Sequence, residues 1–253
     1  MDLSGVTAVL LAGGDRGEAL AAQIGVANKA HIPIGGRPMV YYVLSALRQS
    51  GVIAQIVHVG ACPATLRELV DAVVPSGERM VDSVALGLGA ALAQRPSRVL
   101  LATADIPWLT PQVVSDFVTQ SPEADLVYPI IPAAVAEAQF PNQKRTYARI
   151  KEGRFTGGNL VLLRSSFAPR LIPLLDTLYR ARKNPLALAR LFGLDVIAEL
   201  LLGRVALSKL EVRAGRILGG TVRAFESRDA SLGADIDKLE HLANNAVAQL
   251  EGR

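Results

Sequence analysis

At 253 residues, half of them apolar, the chain is long enough for one α/β domain with a well-covered sheet and leaves little for a second independent one. The formal net charge of +4 is modest, and no aromatic residues interleave with the basic ones, which argues against a nucleic-acid surface. Cys62 stands alone, which excludes an intramolecular disulfide and any cysteine-based metal cluster; it fits a reducing, cytoplasmic setting, and beside a proline it reads as inert packing.

The opening stretch MDLSGVTAVLLAGG lacks the basic start and small-residue cleavage site of a secretory signal, so its apolar run, residues 6–11, reads as a buried strand ending in a glycine turn. Residues 38–50 place Met39, Val43, Leu44 and Leu47 at helical spacing, with Pro38 in the first turn and Gly51 beyond the end. A strand is expected at 53–59, a short helix at 65–74, and a small-residue helix at 80–93 that can approach a sheet closely. Residues 99–102 form the next strand. It runs into TADIP, and Thr110-Pro111 then cap and open a helix to about residue 119. A further strand covers 126–131. Alternation at these intervals predicts a mostly parallel, twisted sheet with helices on both faces, a three-layer Rossmann-like α/β fold.

Beyond residue 146 the rhythm loosens: strands at 147–150 and 158–163, then helices at 167–182 and 185–203. Residues 141–190 hold eleven lysines and arginines against Glu152 and Asp176, which reads as a phosphate-facing surface or a solvated face. The apolar segment 185–207 is interrupted by Arg190, Asp195, Glu199 and Arg204, too often for a membrane span. Its helices either pack inside the monomer, make a dimer contact, or rest on a membrane surface.

Four features could carry chemistry. The loop LAGGDRG (Leu11, Ala12, Gly13, Gly14, Asp15, Arg16, Gly17) follows the first strand, and adjacent glycines let backbone N–H groups close on a phosphate. It matches neither GxGxxG nor GxxxxGK[ST], and taken by itself it also fits an ordinary tight turn. Lys29 could reach the same phosphates, or be solvated. Asp105 ends a central strand at the edge where parallel sheets bind ligands. The pair Asp235 and Asp237 precedes a last helix, which Asp237 could equally cap.

Taken in order, LAGG, Lys29, IGGRPMVYYVLSAL and TADIPWLTP resemble the nucleotidyltransferase superfamily with a GT-A-like fold, particularly relatives of molybdenum-cofactor guanylyltransferase. The resemblance covers about the first half of the chain. It implies that Gly13 and Gly14, with Leu11 and Ala12, wrap a nucleoside triphosphate, that Lys29 contacts phosphates, and that Asp105 binds Mg²⁺. Asp237 matches the family's second metal-binding acid, with Asp235 the next choice; Ser83 lies in the segment that holds the base, and Gly158 and Asn159 in the loop over the acceptor, where a hairpin turn is the alternative. Two positions depart from the family pattern. Glu18 stands where an arginine is usual, with Arg16 as its substitute, and Asn28 replaces the proline before the lysine.

The reaction implied is transfer of a nucleoside monophosphate from a triphosphate to a phosphorylated acceptor, a sugar phosphate or cofactor, with release of pyrophosphate. The whole chain is expected to form one domain, with its nucleotide half at about 1–130 and its acceptor half at 131–253. A nucleotide-sugar glycosyltransferase is the rival, weakened because Thr103-Ala104-Asp105 lacks the first acid of DxD; a non-catalytic nucleotide binder is the other.

Overall fold

The computed structural model describes residues 5–13, 19–141, 143–181 and 192–242. In chain order these form β1 (Val6–Leu11), α1 (Ala19–Ile24), the two-stranded ribbon β2 (Pro33–Ile34) and β3 (Arg37–Pro38), α2 (Met39–Gln49), β4 (Gln55–Val59) and β5 (Ala72–Val74). Next come α3 (Met80–Ala93), β6 (Arg98–Thr103), α4 (Pro111–Gln120), β7 (Leu126–Pro132), α5 (Ala133–Gln139), β8 (Ala148–Ile150), β9 (Gly153–Gly157) and β10 (Leu160–Arg164). The chain continues through α6 (Ala168–Ala181), α7 (Leu194–Leu201), α8 (Leu207–Leu218), β11 (Val222–Glu226) and α9 (Leu239–Leu242).

Nine strands make one sheet in the order β5-β4-β1-β6-β10-β7-β9-β8, with β11 also paired to β7. β5, β4, β1 and β6 are mutually parallel, and β11 is parallel to β7. β10 enters antiparallel between β6 and β7. The expected mostly parallel α/β architecture is therefore the observed one. β1 shows how a buried strand serves two layers: Val6, Ala8 and Leu10 pack with α2 and α4, while Val9 turns to the opposite face with Val84, Leu88 and Ala91 of α3.

The small residues of α3 set its distance from the sheet. A Cβ on Gly87 would overlap Val9 Cγ1 and fall 2.8 Å from Val59 Cγ2, whereas Gly89 of the same helix faces open space. At the end of α4's loop, Thr110 Oγ1 accepts from Val113 N with Pro111 in the first turn, as its sequence indicates.

Several expectations are corrected. Residues 65–74 do not form a helix. A 3₁₀ turn, Ala64–Leu69, ends where Val70 becomes extended, and β5 then joins the free edge of β4. Asp71 makes this switch, accepting from Ile56 N at 2.7 Å and pairing with Arg48 at 2.7 Å, so tertiary partners override the local pattern. Gly158-Asn159 is not a hairpin turn: β9 and β10 both run antiparallel to β7, one after the other, and the hairpin is β8–β9. The elements α1, α5, α8 and β11 carry no clear advance signal. Of the apolar segment 185–207, residues 185–191 lie outside the described ones; in α7, Leu194 and Leu201 are largely exposed. Among the described residues no helix is long and apolar enough to cross a membrane.

His58, on β4, is fully buried and neither ring nitrogen has a hydrogen-bond partner among the described residues. Burial pulls its imidazole down to about 4 from 6.5, Gly60 offsetting part of this and the His31 and Arg67 charges adding to it. Below pH 6.5 the unfolded chain binds a proton that the folded one refuses, so stability falls as pH drops toward 4. Urea unfolding should lose about 2 kcal/mol from this group between about pH 7.5 and pH 5, and His58→Leu should lose correspondingly less; equal losses in both proteins would refute the assignment. For α3, Gly89→Ala should raise stability by about 0.5–1 kcal/mol and Gly87→Val lower it by about 2 kcal/mol or more, read as opposite shifts in melting temperature.

Candidate active site

The site is assembled from four chain segments at the C-terminal edge of the parallel strands. The first leaves β1: Ala12 N donates to Val59 O at 2.9 Å, and Gly13 meets Gly60 so closely that a Cβ on Gly60 would lie 2.8 Å from Gly13 Cα. Gly60 has φ +112°, a conformation open to glycine and strained for other residues. A Cβ on Gly13 would strike Ser76, 2.5 Å away, and would lie 3.6 Å from Ser83 Oγ. Ser83 is buried and its hydroxyl accepts from Gly77 N at 3.0 Å, so it lines the glycine loop from α3. Gly14 and Arg16 lie outside the described residues, as does Glu18.

The second segment presents Lys29. Asn28 caps the 3₁₀ turn Lys29–His31: its Oδ1 accepts from Ala30 N at 2.8 Å, and its Nδ2 donates to Ala12 O at 2.5 Å. One side chain thus shapes the lysine turn and ties it to the glycine loop. Sequence reading treated Asn28 only as a departure. The signal that could have found its role was an asparagine at a position able to cap a turn.

The third set carries the acids. Asp105 follows β6, with one carboxylate oxygen accepting from Thr103 Oγ1 at 2.6 Å and the other from Lys29 Nζ at 2.7 Å. The segment around residues 230–237 crosses the strand ends, since Asn159 N donates to Leu232 O at 2.7 Å and Ile236 N to Asp105 O at 2.9 Å. This brings Asp237 to Lys29 as a second ion pair. Ile236, between the two acids, is fully buried in an apolar cluster with Ile32, Met39 and Trp108. That cluster clamps together the segments bearing Lys29, Asp105 and the acid pair.

Asp105, Asp235 and Asp237 each offer an oxygen within 4.8 Å of the others. Hard oxygen donors in such a group suit Mg²⁺ or a similar cation, which takes one or two carboxylates and completes its shell with water and phosphate. Burial alone would lower the Lys29 pKa, but Asp105 and Asp237 outweigh it and hold the ammonium charged well above its ordinary range. Burial, followed by the Asp237 and Asp105 carboxylates, pushes Asp235 up. Burial also works against the Asp237 carboxylate, but the hydrogen bonds from Asp235 and Lys29 prevail and its pKa is lowered.

Of the residues singled out from sequence, Lys29, Asp105, Asp237 and Asp235 meet directly, and Leu11, Ala12, Gly13 and Ser83 form the adjoining loop and wall. Gly158 and Asn159 stand on the other flank: Asn159 O accepts from Thr103 N, and a Cβ on Gly158 would lie 2.8 Å from Pro129 Cγ. Cys62 is a partly buried free thiol whose pKa burial raises, consistent with packing.

The protein is thus an α/β protein whose mostly parallel sheet carries a glycine loop and clustered acids at its C-terminal edge. The same fold is found in a CMP:2-keto-3-deoxy-manno-octonic acid synthetase complexed with CTP, 13% identical, TM-score 0.63, covering 98% of this chain and 99% of that one. It is also found in 2-C-methyl-D-erythritol 4-phosphate cytidylyltransferase from Thermus thermophilus, 18% identical, TM-score 0.54, covering 95% and 98%. A hypothetical transferase, also from Thermus thermophilus, is far more similar, at 45% identity and TM-score 0.85 over 94% of this chain and 99% of that one. No match was found among curated proteins. Residues 8–195 match the family described as the MobA-like NTP transferase domain, and the chain belongs to that family.

Ile236→Ala should cost about 3 kcal/mol in urea unfolding, as a buried isoleucine truncated in a tight cluster. Leu201→Ala, on the exposed face of α7, should stay within about 0.5 kcal/mol of the parent.

Proposed function

We propose that this protein transfers a nucleoside monophosphate from a nucleoside triphosphate to a phosphorylated acceptor, a sugar phosphate or cofactor, releasing pyrophosphate. The observation that carries this reading is Lys29 held between Asp105 and Asp237, with Asp235 beside them, next to the glycine loop. An oxygen of the acceptor phosphate attacks the α-phosphorus, the bond from that phosphorus to the bridging oxygen breaks, and pyrophosphate leaves. An acceptor phosphate is already anionic, so no general base is needed.

In this reading the nucleotide half, about 1–130, supplies Leu11, Ala12 and Gly13, whose backbone approaches the triphosphate, and Ser83 beside the base. Gly14 and Arg16 are assigned to the same loop on the family resemblance. Lys29 neutralises charge on the phosphates, acting by position and electrostatics as phosphoryl-transfer sites do. Asp105 and Asp237, with Asp235, would hold Mg²⁺, which when bound supplies positive charge against the triphosphate and the departing pyrophosphate. The acceptor half, about 131–253, presents Gly158 and Asn159 to the second substrate. The segment 185–207 is assigned to a homodimer or peripheral membrane contact, which the exposed Leu194, Leu201 and Leu202 of its described part support.

The test is a thermal-shift comparison of ATP, GTP, CTP and UTP, each with and without Mg²⁺, on the parent and on Asp105→Asn. One nucleotide at about 100 times its Kd should raise the melting temperature by about 5–10 °C in a Mg²⁺-dependent way, and the variant should lose the rise. Pyrophosphate release should then require that nucleotide, Mg²⁺ and a phosphorylated acceptor. Binding with no pyrophosphate release across an acceptor panel would leave a nucleotide-binding protein, and no shift with any nucleotide would remove the proposal.

A further inference from the structure

Arg145 lies on the acceptor flank and has no role in the preceding account. Its Nε and Nη1 are buried with no hydrogen-bond partner among the described residues. Each such donor, screened from water and unpaired, costs about 1–3 kcal/mol, so a folded chain keeps two of them only where something offsets the cost. The side chain is nevertheless seated. Nη2 donates to Gln143 Oε1 at 2.5 Å, Gln143 Nε2 donates to Asp235 O at 3.2 Å, and the guanidinium stands 5.7 Å over the Phe140 ring, which packs edge-on against Trp108 at 5.3 Å.

Its neighbourhood joins both parts of the site. A Cβ on Gly233 would lie 3.1 Å from Arg145 Nη1 and 2.8 Å from Gly157 O, so the absence of a side chain at 233 leaves the guanidinium facing the loop that carries Gly158 and Asn159. Burial pulls the guanidinium pKa down, and Asp235, on the other side, offsets part of this. A desolvated cation with idle donors, tethered between the acid cluster and the acceptor loop, is matched by a group with several anionic oxygens.

We infer that Arg145 is the acceptor's anion-binding residue and that the group it takes is a phosphate monoester, the one whose oxygen attacks. This rests on the transferase reading and deepens it. The residue as a whole is only partly buried, and one hydrogen bond to Gln143 holds its tip. Turning out toward a phosphate forfeits little, because Nε and Nη1 have nothing to lose. The bound arginine would orient the attacking phosphate and relieve its repulsion from the triphosphate.

The test reads the Arg145 Nε–H resonance in the full chain, assigned by its loss in Arg145→Lys or, should that variant not fold, by proximity to the Phe140 ring protons. Inorganic phosphate should shift this signal saturably, and acetate or chloride at equal ionic strength should not. Arg145→Lys should weaken phosphate binding by about tenfold and leave the Mg²⁺-nucleotide thermal shift unchanged, because lysine keeps the charge without the fixed array of donors. A resonance unmoved by phosphate overturns the inference, as does an equal response to acetate, which would assign a carboxylate. A variant that loses nucleotide and phosphate together would make Arg145 a structural residue. Failure of nucleotide binding in the parent refutes the transferase reading itself, so the two failures are separable.

Discussion

The buried ammonium of Lys29 governs the arrangement around it. Taken out of water by itself, a lysine would surrender its proton; between Asp105 and Asp237 it stays charged, because the two carboxylates outweigh its burial. The pairs join residues 76 and 208 positions apart, so the site exists only when the strand ends, the lysine turn and the late acid segment converge. That convergence is not left to the charges. Ile32, Trp108 and Ile236, each within three residues of one of these charges, form an apolar cluster with Met39. Apolar burial supplies the free energy that holds the acids and the lysine together.

Topology decides which groups gather around Lys29. Parallel strands β4, β1 and β6 end on one edge, and the loops after β1 and β6 deliver the glycine turn and Asp105 there. Inserting β10 antiparallel between β6 and β7 makes the start of β10, rather than its end, reach this edge. Gly158 and Asn159 therefore sit beside Thr103, and Asn159 anchors the crossing segment that brings Asp235 and Asp237 home. A single reversed strand thus places Gly158 and Asn159 next to the end of β6.

Asn28 shows that a departure from a family pattern need not mean loss of its geometry. A proline before the lysine would restrict the backbone through its ring; Asn28 acts with hydrogen bonds, capping the turn and bonding to Ala12. The position differs in residue and is still spent on shaping the lysine turn. Arg145 is the opposite case. Nothing in its sequence surroundings distinguishes it from other basic residues of that segment, and only its unpaired, buried donors mark it out.

The sequence by itself determined the elements written in adjacent residues: β1 leading into Gly13, α2, the Thr110-Pro111 start of α4, and the short-range strand and helix alternation that requires a mostly parallel sheet. It also marked Lys29, Asp105 and Asp237, because their order relative to recognisable loops survives in one dimension. The tertiary structure alone decided that residues 72–74 extend the sheet edge, that Gly158-Asn159 joins two successive strands instead of turning a hairpin, and that Asn28, Ile236 and the Gln143–Arg145 pair meet the segments bearing Lys29, Asp105 and Asp235. The reason is physical. Capping and periodicity act within a few residues and leave a local imprint, whereas strand-edge pairing, apolar clamping and the desolvation of a charge depend on partners supplied from distant parts of the chain.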